Sequence, residues 1–371
     1  MIAVVTSGHK PDDERIYHKE IQSLLNAGYN IQYFTRWDEE IDLSQGTLYH
    51  RNFLKRSTSI RQYNHFLMKI ISSLDRIKVL HIHEFDLLPL AKNLKKSKKL
   101  KIVYDVHDDL RAMWETFSSK KRLIKMVVNK ALSIYERIHL RFVDEVILAN
   151  KVFYKNYYKE IGLPTTTIEN FPSIENISSK KPFRENPIIM YHGQLSSDRG
   201  IIILIKAFIQ LKDHMPGAVL KLLGTPRTNE FKSEIVHLIN SSIYKRDIRL
   251  LDEVPHGDIW GLLEESHIGI IPSLRTPRVI MDTPTKLFEY MASSCAVVAT
   301  DTPPVRYFAE DCSILVDPDN VKSLVDGILD IWTNKNKFLS YIEEGQKKIK
   351  NRYNWQKTEK KLLSLYEKIL K

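Results

Sequence analysis

The segment TPTKLFEYMASSCAVVATD, residues 283–301, predicts a short helix followed directly by a buried strand. Thr283 is a suitable N-cap, and Pro284 suits the first position of a helix. Lys286 and Glu289 lie on its polar face, and the apolar run that follows is typical of a strand in a parallel sheet. A helix N-terminus favours anions, and a carboxylate one turn further in accepts hydrogen bonds from hydroxyl groups. These groups would suit a nucleotide sugar, whereas a solvated Lys286–Glu289 ion pair is the competing interpretation.

Length and composition indicate a soluble protein of two ordinary domains. The chain has 371 residues, of which 43% are hydrophobic and 27% are charged. Its two cysteines, Cys295 and Cys312, give neither a disulfide framework nor a metal-binding spacing. No apolar run has membrane-spanning length, and Met1 leads directly into a predicted strand rather than a signal peptide. We therefore expect a cytoplasmic protein.

The net charge of +11 is compatible with nucleic acid, anionic lipid or an anionic substrate as partner. Zinc-finger spacings, RNA-binding motifs and a basic tail are all missing from the sequence, so we predict no nucleic-acid partner. Residues 117–142 are predicted to form one long helix with seven basic residues and one acid, Glu136. The basic residues are Lys120, Lys121, Arg122, Lys125, Lys130, Arg137 and Arg141.

Two interpretations of the basic helix at 117–142 remain open. A basic amphipathic helix can lie on an anionic membrane, which would make the protein peripheral at the inner face of the membrane. Alternatively, its apolar stripe packs on a sheet and its basic residues are simply solvated.

The chain begins with a β-α-β pattern. Residues 2–7 form an apolar run, a helix follows, and residues 30–35 form the next strand. The loop between the first strand and the helix carries Gly8, His9 and Asp13 but lacks the spaced glycines of a dinucleotide-binding fingerprint. The sequence therefore disfavours a nicotinamide enzyme, and His9 and Asp13 are either functional or serve loop solvation and helix capping.

Three polar side chains lie at the carboxyl ends of predicted strands in the first half of the chain. His83 and Glu84 end the strand at residues 79–85, and His107 follows the strand that begins at residue 101. Ligands bind at the carboxyl ends of strands in open parallel sheets. We weight His107 most, because Asp105 and Asp108 flank it.

Residues 173–187 are polar, contain two prolines and show no periodicity, which predicts a linker. After it the alternation of strands and helices restarts. The pattern predicts two α/β domains facing across a cleft. The predicted divisions are 1–172, the linker 173–187, 188–350, and a C-terminal helix at 351–371.

Taken together, these motifs resemble the glycosyltransferase family 4 enzymes nearly end to end. The matching segments are SGHKPDDERIYHKE, YDVHD, HGQLSSDRGIIILIKAF, LLGTP, VPHGDIWGLLEESHIGIIPS, TPTKLFEYMASSCAVVATD and NWQKTEKKLLSLYEKIL. The resemblance implies the GT-B fold, in which two Rossmann-like domains with parallel sheets place the active site between them. It also implies that the C-terminal helix crosses back to the first domain.

The resemblance implies a retaining glycosyltransferase that moves a sugar from a nucleotide-diphosphate sugar to a glycan or lipid-linked acceptor in polysaccharide biosynthesis. A UDP-sugar is the favoured donor, and a GDP-sugar is the alternative. Negative charge develops on the leaving diphosphate, so Arg199, Lys286 and the helix end would stabilise it. We therefore expect no metal and no cofactor beyond the donor itself.

Site residues carry over by the same resemblance. Glu289 would bind the ribose hydroxyls, Arg199 would bind the diphosphate, and His107 would lie near the transferred sugar. The predicted catalytic residues are His107, Arg199 and Lys286. The predicted donor-binding residues are Gly193, Arg199, Gly224, Val254, Pro255, Thr283, Thr285, Lys286 and Glu289. The predicted acceptor-side residues are Gly8, His9, Asp13, His83 and Asp108.

The sequence also departs from the family pattern. Met281 stands where members have a second glutamate, so the donor-sugar contact is absent or is supplied by Asp282 or by backbone. Gln194 replaces an arginine, while Ser294 and Ala296 replace a glycine and a proline. Two further hypotheses therefore stay open: a catalytically inactive nucleotide-sugar-binding subunit, and a GT-B sugar-nucleotide epimerase.

Overall fold

The computed structural model describes residues 1–39, 41–54, 56–107, 110–150, 158, 160–179, 181 and 183–371. Contacts divide the chain into two compact units. The first comprises Met1–Asn170 and Gln356–Lys371, and the second comprises Phe171–Trp355. Residues 173–187, predicted as a linker, lie inside the second unit.

The first unit contains a seven-stranded parallel sheet in its described residues. Its strands are β1 (Ile2–Val5), β2 (Ile31–Trp37), β3 (Leu48–Leu54), β4 (Val79–Ile82), β5 (Lys101–Val106), β6 (Glu145–Leu148) and β7 (Thr165–Thr167). The spatial order is β3-β2-β1-β4-β5-β6-β7. The order reverses between β1 and β4, so the loops after these strands flank a topological switch point, where ligands bind in such sheets.

Helices pack against this sheet, and the hydrophobic core consists of residues from both. They are a π-helical stretch (Glu14–Ile21) that continues into α1 (Gln22–Asn26), then α2 (Ile60–Ser73), α3 (Leu88–Ser97), α4 (Leu110–Phe117) and α5 (Arg122–Leu140). Local sequence explains their starts. The Asp13 side chain caps the π-helical stretch, and Ser59 with Gln62 forms a capping box at α2.

The predicted single helix over 117–142 is wrong. The structure ends α4 at Phe117 and begins α5 at Arg122. Ser118 and Ser119 follow Phe117, and serine favours helix ends because its hydroxyl competes for backbone groups. The Ser118 hydroxyl indeed accepts a hydrogen bond from the Lys120 amide.

The polar composition of residues 36–65 predicts an irregular region, and this prediction is also wrong. This region contains β3, which pairs in parallel with β2 along its whole length, and the start of α2. Residues 48–51 of β3 alternate between buried and exposed, as in an edge strand with one exposed face, although the sequence LYHRNFL does not alternate in polarity.

The second unit contains a six-stranded parallel sheet. Its strands are β8 (Ile188–His192), β9 (Val219–Leu223), β10 (Ile248–Leu251), β11 (Ile268–Ile271), β12 (Ala296–Thr300) and β13 (Ser313–Val316), in the order β10-β9-β8-β11-β12-β13. Its helices are α6 (Ile201–Leu211), α7 (Asn229–Asn240), α8 (Ile259–Glu265), α9 (Pro277–Met281), α10 (Thr285–Ala292), α11 (Pro303–Ala309), α12 (Val321–Thr333) and α13 (Lys335–Asn351).

Helix α10, the helix of the opening segment, starts one residue later than predicted. Pro284 is the N-cap and Thr285 is the first helical residue, so Thr283 is not the cap. The competing interpretation of a solvated Lys286–Glu289 ion pair is wrong, because every residue from Lys286 to Ala292 is buried. Strand β12 behind it is buried along its whole length, as predicted.

The last helix, α14 (Trp355–Leu370), belongs to the first unit from Gln356 onward. The Tyr366 hydroxyl lies 2.8 Å from His81 Nδ1, and Lys361 pairs with Glu169 at 3.0 Å. The predicted fold of two Rossmann-like α/β domains with a C-terminal helix that returns to the first domain is therefore confirmed.

We expect Tyr366→Phe to lower the free energy of unfolding by about 1–2 kcal/mol, because His81 Nδ1 would lose its partner in a fully buried position. Urea unfolding followed by circular dichroism measures this change. Tyr307→Phe, at an exposed position of α11, is the control and should have no effect. An unchanged stability for Tyr366→Phe would contradict the predicted anchoring of α14.

Candidate functional site

The second unit buries a lysine ammonium at the start of α10. Lys286 is only 9% exposed, and its Nζ lies 4.1 Å from the centroid of the Tyr191 ring. A Cβ atom at position 193 would lie 3.1 Å from the same Nζ. Any side chain in place of Gly193 would therefore crowd the ammonium. Cation–π contact with Tyr191 partly offsets the loss of hydration.

In the described part of the chain the Lys286 ammonium forms no ion pair or hydrogen bond. Burial lowers the pKa of Lys286 to about 7, and the positive charges of Arg199 and Arg278 act in the same direction. Glu289 and Asp282 act in the opposite direction without cancelling the effect. The site therefore combines a helix N-terminus with positive charge that lacks a counter-ion, which is the arrangement that an anion such as a diphosphate requires.

Glu289 lies one turn further along α10 and faces two histidines. His256 Nε2 lies 3.0 Å from Glu289 Oε1, and His192 Nε2 lies 3.3 Å from Glu289 Oε2. His192 ends β8, and His256 begins a short turn directly after Val254 and Pro255. Burial lowers the pKa of His192 to about 4, so this imidazole is neutral at neutral pH.

Two ion pairs hold the loop that carries Arg199. The Arg199 guanidinium donates to Asp282 at 3.0 Å, while Arg278 donates to the buried Asp198 at 3.2 Å. Asp198 also accepts a 2.5 Å hydrogen bond from the Ser196 hydroxyl. The loop before α6 and the segment around α9 are thus held together. Asp282, one of the alternatives for the donor-sugar contact missing at Met281, is paired with Arg199 in this structure, and its contact with a sugar stays a prediction.

The structure also brings the predicted donor-site glycines together. Gly224 has φ of +140°, and a Cβ there would lie 2.1 Å from the Gly193 carbonyl oxygen. Gly193 itself has φ of +107°. Both loops therefore require glycine at these positions. Of the remaining donor-site predictions, Thr285 is exposed and the Thr283 hydroxyl is buried without a hydrogen-bond partner.

Three histidines converge in the first unit. His83 Nδ1 and His107 Nε2 are 2.9 Å apart, so one proton is shared between these two nitrogens. The rings of His9 and His107 lie 4.8 Å apart. Three of the predicted side chains are thus neighbours, and they lie at the switch point of the sheet.

Glu84 organises the loop after β1. It accepts hydrogen bonds from the Ser7 and Gly8 amides at 2.9 and 3.0 Å, and its Oε1 lies 2.7 Å from His9 Nδ1. Burial opposes ionisation, but the hydrogen bonds from His9, Thr6 and Ser7 prevail and lower the pKa of Glu84. Glu84 therefore fixes Gly8 and His9 as an anion.

The other two acceptor-side predictions have different outcomes. Asp13 accepts hydrogen bonds from the amides of Arg15 and Ile16 at 3.0 and 2.9 Å, so it serves as the helix cap that was its alternative role. Asp108 lies outside the described residues.

A buried charge cluster lies beside His83 and His107. Arg15 donates to both oxygens of Asp105 at 2.8 and 3.1 Å and lies 3.0 Å from Glu20. Burial and the negative charge of Asp105 raise the pKa of Glu20 well above its usual value. Ligand atoms of Glu20, His81, His83 and Asp105 lie within 4.8 Å of one another. Arg15 supplies the positive charge that these carboxylates need, and the expected metal independence stays a prediction.

Helix α5 exposes an apolar surface. We define the α5 surface by its exposed apolar residues, which are Leu123, Ile124, Met126, Val127, Ile134 and Ile138. Leu123 is 73% exposed and Val127 is 66% exposed, and basic residues from Lys120 to Lys130 surround them. Within the first unit, the predicted alternative of a stripe packed on the sheet is therefore wrong for this part of α5. Among the helices that the structure describes, none is long and apolar enough to span a membrane.

Sequence reasoning missed several residues of these clusters. His192, His256 and Tyr191 contact Glu289 and Lys286 only through tertiary packing, and they lie 33 to 97 positions away in the chain. The cluster of Arg15, Glu20 and His81 was only partly predictable. His81 lies in β4 and His83 follows directly after it, and a spacing of two places both on one face of the sheet.

The second unit carries the sequence pattern of a known family. Residues 173–348 match the family model described as glycosyl transferases group 1. The chain is also 22% identical over 283 residues to an uncharacterized glycosyltransferase, YqgM, of Bacillus subtilis. That alignment covers 75% of this chain and 73% of the relative.

Solved structures match the whole chain. Sucrose-phosphate synthase from Thermosynechococcus elongatus aligns with a TM-score of 0.81 at 15% identity and covers 100% of this chain and 99% of that chain. Anabaena HepE, solved in complex with UDP, aligns with a TM-score of 0.73 at 16% identity and covers 99% of both chains. The chain has the GT-B fold. The two units described above are its two Rossmann-like domains.

Proposed function

We propose that this chain is a retaining glycosyltransferase that moves a sugar from a nucleotide-diphosphate sugar to a glycan or lipid-linked acceptor in polysaccharide biosynthesis. The observation that carries the proposal is the buried, unpaired Lys286 ammonium beside Arg199 and Glu289 in a GT-B domain. A diphosphate supplies the missing negative charge, and the adjacent carboxylate suits the ribose hydroxyls. The group 1 match and the YqgM relative support the enzyme class.

The donor is a UDP-sugar in this proposal, and a GDP-sugar is the alternative. HepE, a fold neighbour, was solved with UDP. When the nucleoside diphosphate leaves, negative charge grows on its phosphates, and Lys286, Arg199 and the start of α10 stabilise it. These groups supply positive charge from the chain itself, so we propose a transfer that needs no divalent metal and a leaving phosphate that acts as the base in front-face attack.

We expect nucleotide binding to take up a proton. In the free protein the pKa of Lys286 is about 7, and a bound diphosphate raises it because an anion favours the ammonium form. Binding at pH 8 should therefore absorb roughly half to one proton, and UDP affinity should fall by up to about tenfold per pH unit above pH 7. Titration calorimetry at pH 8 in two buffers of different ionisation enthalpy measures this uptake.

Lys286→Met should abolish the proton uptake and weaken UDP binding by about 10- to 100-fold, because a charged hydrogen bond is lost. Lys206→Met, at an exposed position of α6, is the matched control and should behave as wild type. Tight UDP binding by the wild type without proton uptake would contradict the role of Lys286.

Turnover distinguishes the enzyme from the two other hypotheses. UDP-sugars and GDP-sugars are incubated with and without a panel of glycan and lipid-linked acceptors, and the release of nucleoside diphosphate is followed. We expect release only with an acceptor, and a product whose anomeric configuration by NMR equals that of the donor. Product from donor alone would indicate an epimerase. Nucleotide binding without turnover would indicate an inactive binding subunit, which the departures at Gln194 and Met281 motivate.

The acceptor side of the proposal places the protein at the cytoplasmic face of an anionic membrane. The α5 surface combines exposed apolar side chains with surrounding lysine and arginine, which is the pattern of helices that lie in the membrane interface. Insertion of its apolar side chains into lipid would remove them from water, to which the folded chain exposes them. A lipid-linked acceptor would be reached from such a position.

We expect the protein to float with liposomes that contain phosphatidylglycerol and to float less with pure phosphatidylcholine. Replacing Lys120, Lys121, Arg122 and Lys125 with glutamine should remove most of the binding, because each basic residue near the surface contributes about 1 kcal/mol. The control replaces four exposed lysines of the second unit, Lys232, Lys245, Lys335 and Lys350. Equal flotation of both variants would count against the α5 surface.

A further inference from the structure

We propose that His83 is a positioning residue for His107. It fixes the imidazole of His107 as the tautomer that carries its proton on Nδ1, so that His107 offers an N–H donor to an oxygen atom of a bound sugar. The tautomer follows from contacts within the first unit alone. The identification of the ligand as a sugar rests on the proposed function.

The sheet places the three groups of this arrangement on one face. Strands β4 and β5 pair in parallel with Ile82 opposite Tyr104, so His83 and Asp105 follow next to each other. Residues two positions apart in an extended segment share a face, which puts His107 on the face of Asp105. His83 and Asp105 are buried, while 14% of the His107 side chain is exposed. His107 therefore connects two buried side chains with the open end of the sheet.

Nε2 is the inner nitrogen of His107. It lies 2.9 Å from His83 Nδ1 and 3.5 Å from Asp105 Oδ2. Burial opposes the ionisation of Asp105, but the positive charge of Arg15 prevails and lowers its pKa well below the usual value. Asp105 is therefore an anion without a proton to donate. Two imidazole lone pairs at 2.9 Å would repel each other, so either His83 Nδ1 or His107 Nε2 carries a proton between them.

The other nitrogen of His83 decides between these two positions. Burial lowers the pKa of His83 well below its usual value, so the imidazole is neutral and has a single N–H. Its Nε2 is buried and forms no hydrogen bond with the described residues. A proton there would be a buried donor without an acceptor, which is rare in folded proteins. The proton of His83 therefore lies on Nδ1, from which it donates to His107 Nε2.

This hydrogen bond uses the lone pair of His107 Nε2. The proton of a neutral His107 then lies on Nδ1, which is open to solvent and forms no hydrogen bond with the described residues. His107 follows β5 at the switch point of the sheet, where ligands bind. An N–H donor at this place suits the lone pair of a hydroxyl or ring oxygen of a sugar. The opposite tautomer would instead accept a hydrogen bond from a hydroxyl.

His83 maintains this tautomer against the effect of Asp105. Without the His83 N–H, the Asp105 carboxylate would still face His107 Nε2 at 3.5 Å. An anion favours a proton on the nitrogen that faces it, because it repels a lone pair there. The proton of His107 would therefore move from Nδ1 to Nε2, and His107 would change from a donor into an acceptor toward the ligand.

The test measures the tautomer of His107 in the ligand-free protein by NMR with isotopically labelled histidine, at pH 8, where an ordinary imidazole is neutral. The chemical shifts of the two ring nitrogens show which of them carries the proton. The chain has 13 histidines, so the His107 signals are identified by their loss in His107→Phe. The variants are His83→Leu and His83→Asn, and His65→Leu at an exposed position of α2 is the control. Near-UV circular dichroism and thermal unfolding verify that each variant is folded.

We expect the proton of His107 on Nδ1 in the wild type and in His65→Leu, and on Nε2 in His83→Leu. Asparagine carries an amide N–H at the place of Nδ1, so His83→Asn should keep the wild-type tautomer. A proton on Nε2 in the wild type, or an unchanged tautomer in His83→Leu, would overturn the inference. If His83→Leu fails to fold, the wild-type tautomer decides the question alone.

Turnover gives a second measurement, with the donor and acceptor that the wild type uses. His83→Leu should lower kcat/KM by about three- to tenfold, because a hydrogen bond to the sugar is lost, and His83→Asn should lose less. Equal losses in both variants would indicate a general structural effect and count against the positioning role. If the wild type transfers no sugar from any donor, the proposed function fails, while the NMR measurement still decides whether His83 sets the tautomer of His107.

Discussion

The second unit depends on one electrostatic constraint, the burial of the Lys286 ammonium without a carboxylate partner. An unpaired charge in such a place is costly, and the chain lowers the cost in two ways. Tyr191 offers its ring face at 4.1 Å, and the pKa falls to about 7, so that much of the free protein carries a neutral amine. The free protein therefore accommodates the buried Lys286 at a reduced cost in free energy. An anion that favours the charged form of Lys286 would find its site already formed.

Neighbouring ion pairs keep this site open. Asp282 would be a natural partner for Lys286, but it accepts from Arg199 instead. Asp198 is held by Arg278, and Glu289 faces two histidines. Each nearby carboxylate thus has another contact, and the positive charge of Lys286 stays available to a ligand. The glycines at 193 and 224 complete the arrangement, because any side chain there would meet backbone or the ammonium itself.

Local pattern predicted most of the fold. The apolar runs of β1, β4, β5, β8 and β12 are buried on both faces, and such runs are recognisable without any tertiary information. Edge strand β3 is not predictable in this way because polar residues stand at its centre and its sequence does not alternate in polarity. The break before α5 depends on two serines whose effect depends on context.

The candidate sites were less predictable than the fold. Lys286 and Glu289 could be identified, since they follow a helix start and precede a core strand. Their burial could not, because a helix with polar residues at these positions looks like a surface helix until the rest of the sheet encloses it. His192 reaches Glu289 from the end of β8 and His256 reaches it from a turn after β10, and no spacing in the sequence connects them.

The two units handle buried charge in opposite ways, and this difference bears on what each can do. In the first unit Arg15 is neutralised by Asp105, while Glu20 has a raised pKa, so the cluster beside His83 and His107 needs no counter-ion from outside. Such a self-compensated cluster fixes the geometry of the neighbouring imidazoles and gains little from binding a charged group. In the second unit the compensation is incomplete at Lys286. The electrostatics thus favour the second unit as the place where the diphosphate of the proposed donor would bind, whereas the histidines of the first unit offer hydrogen-bonding groups to a sugar in that proposal.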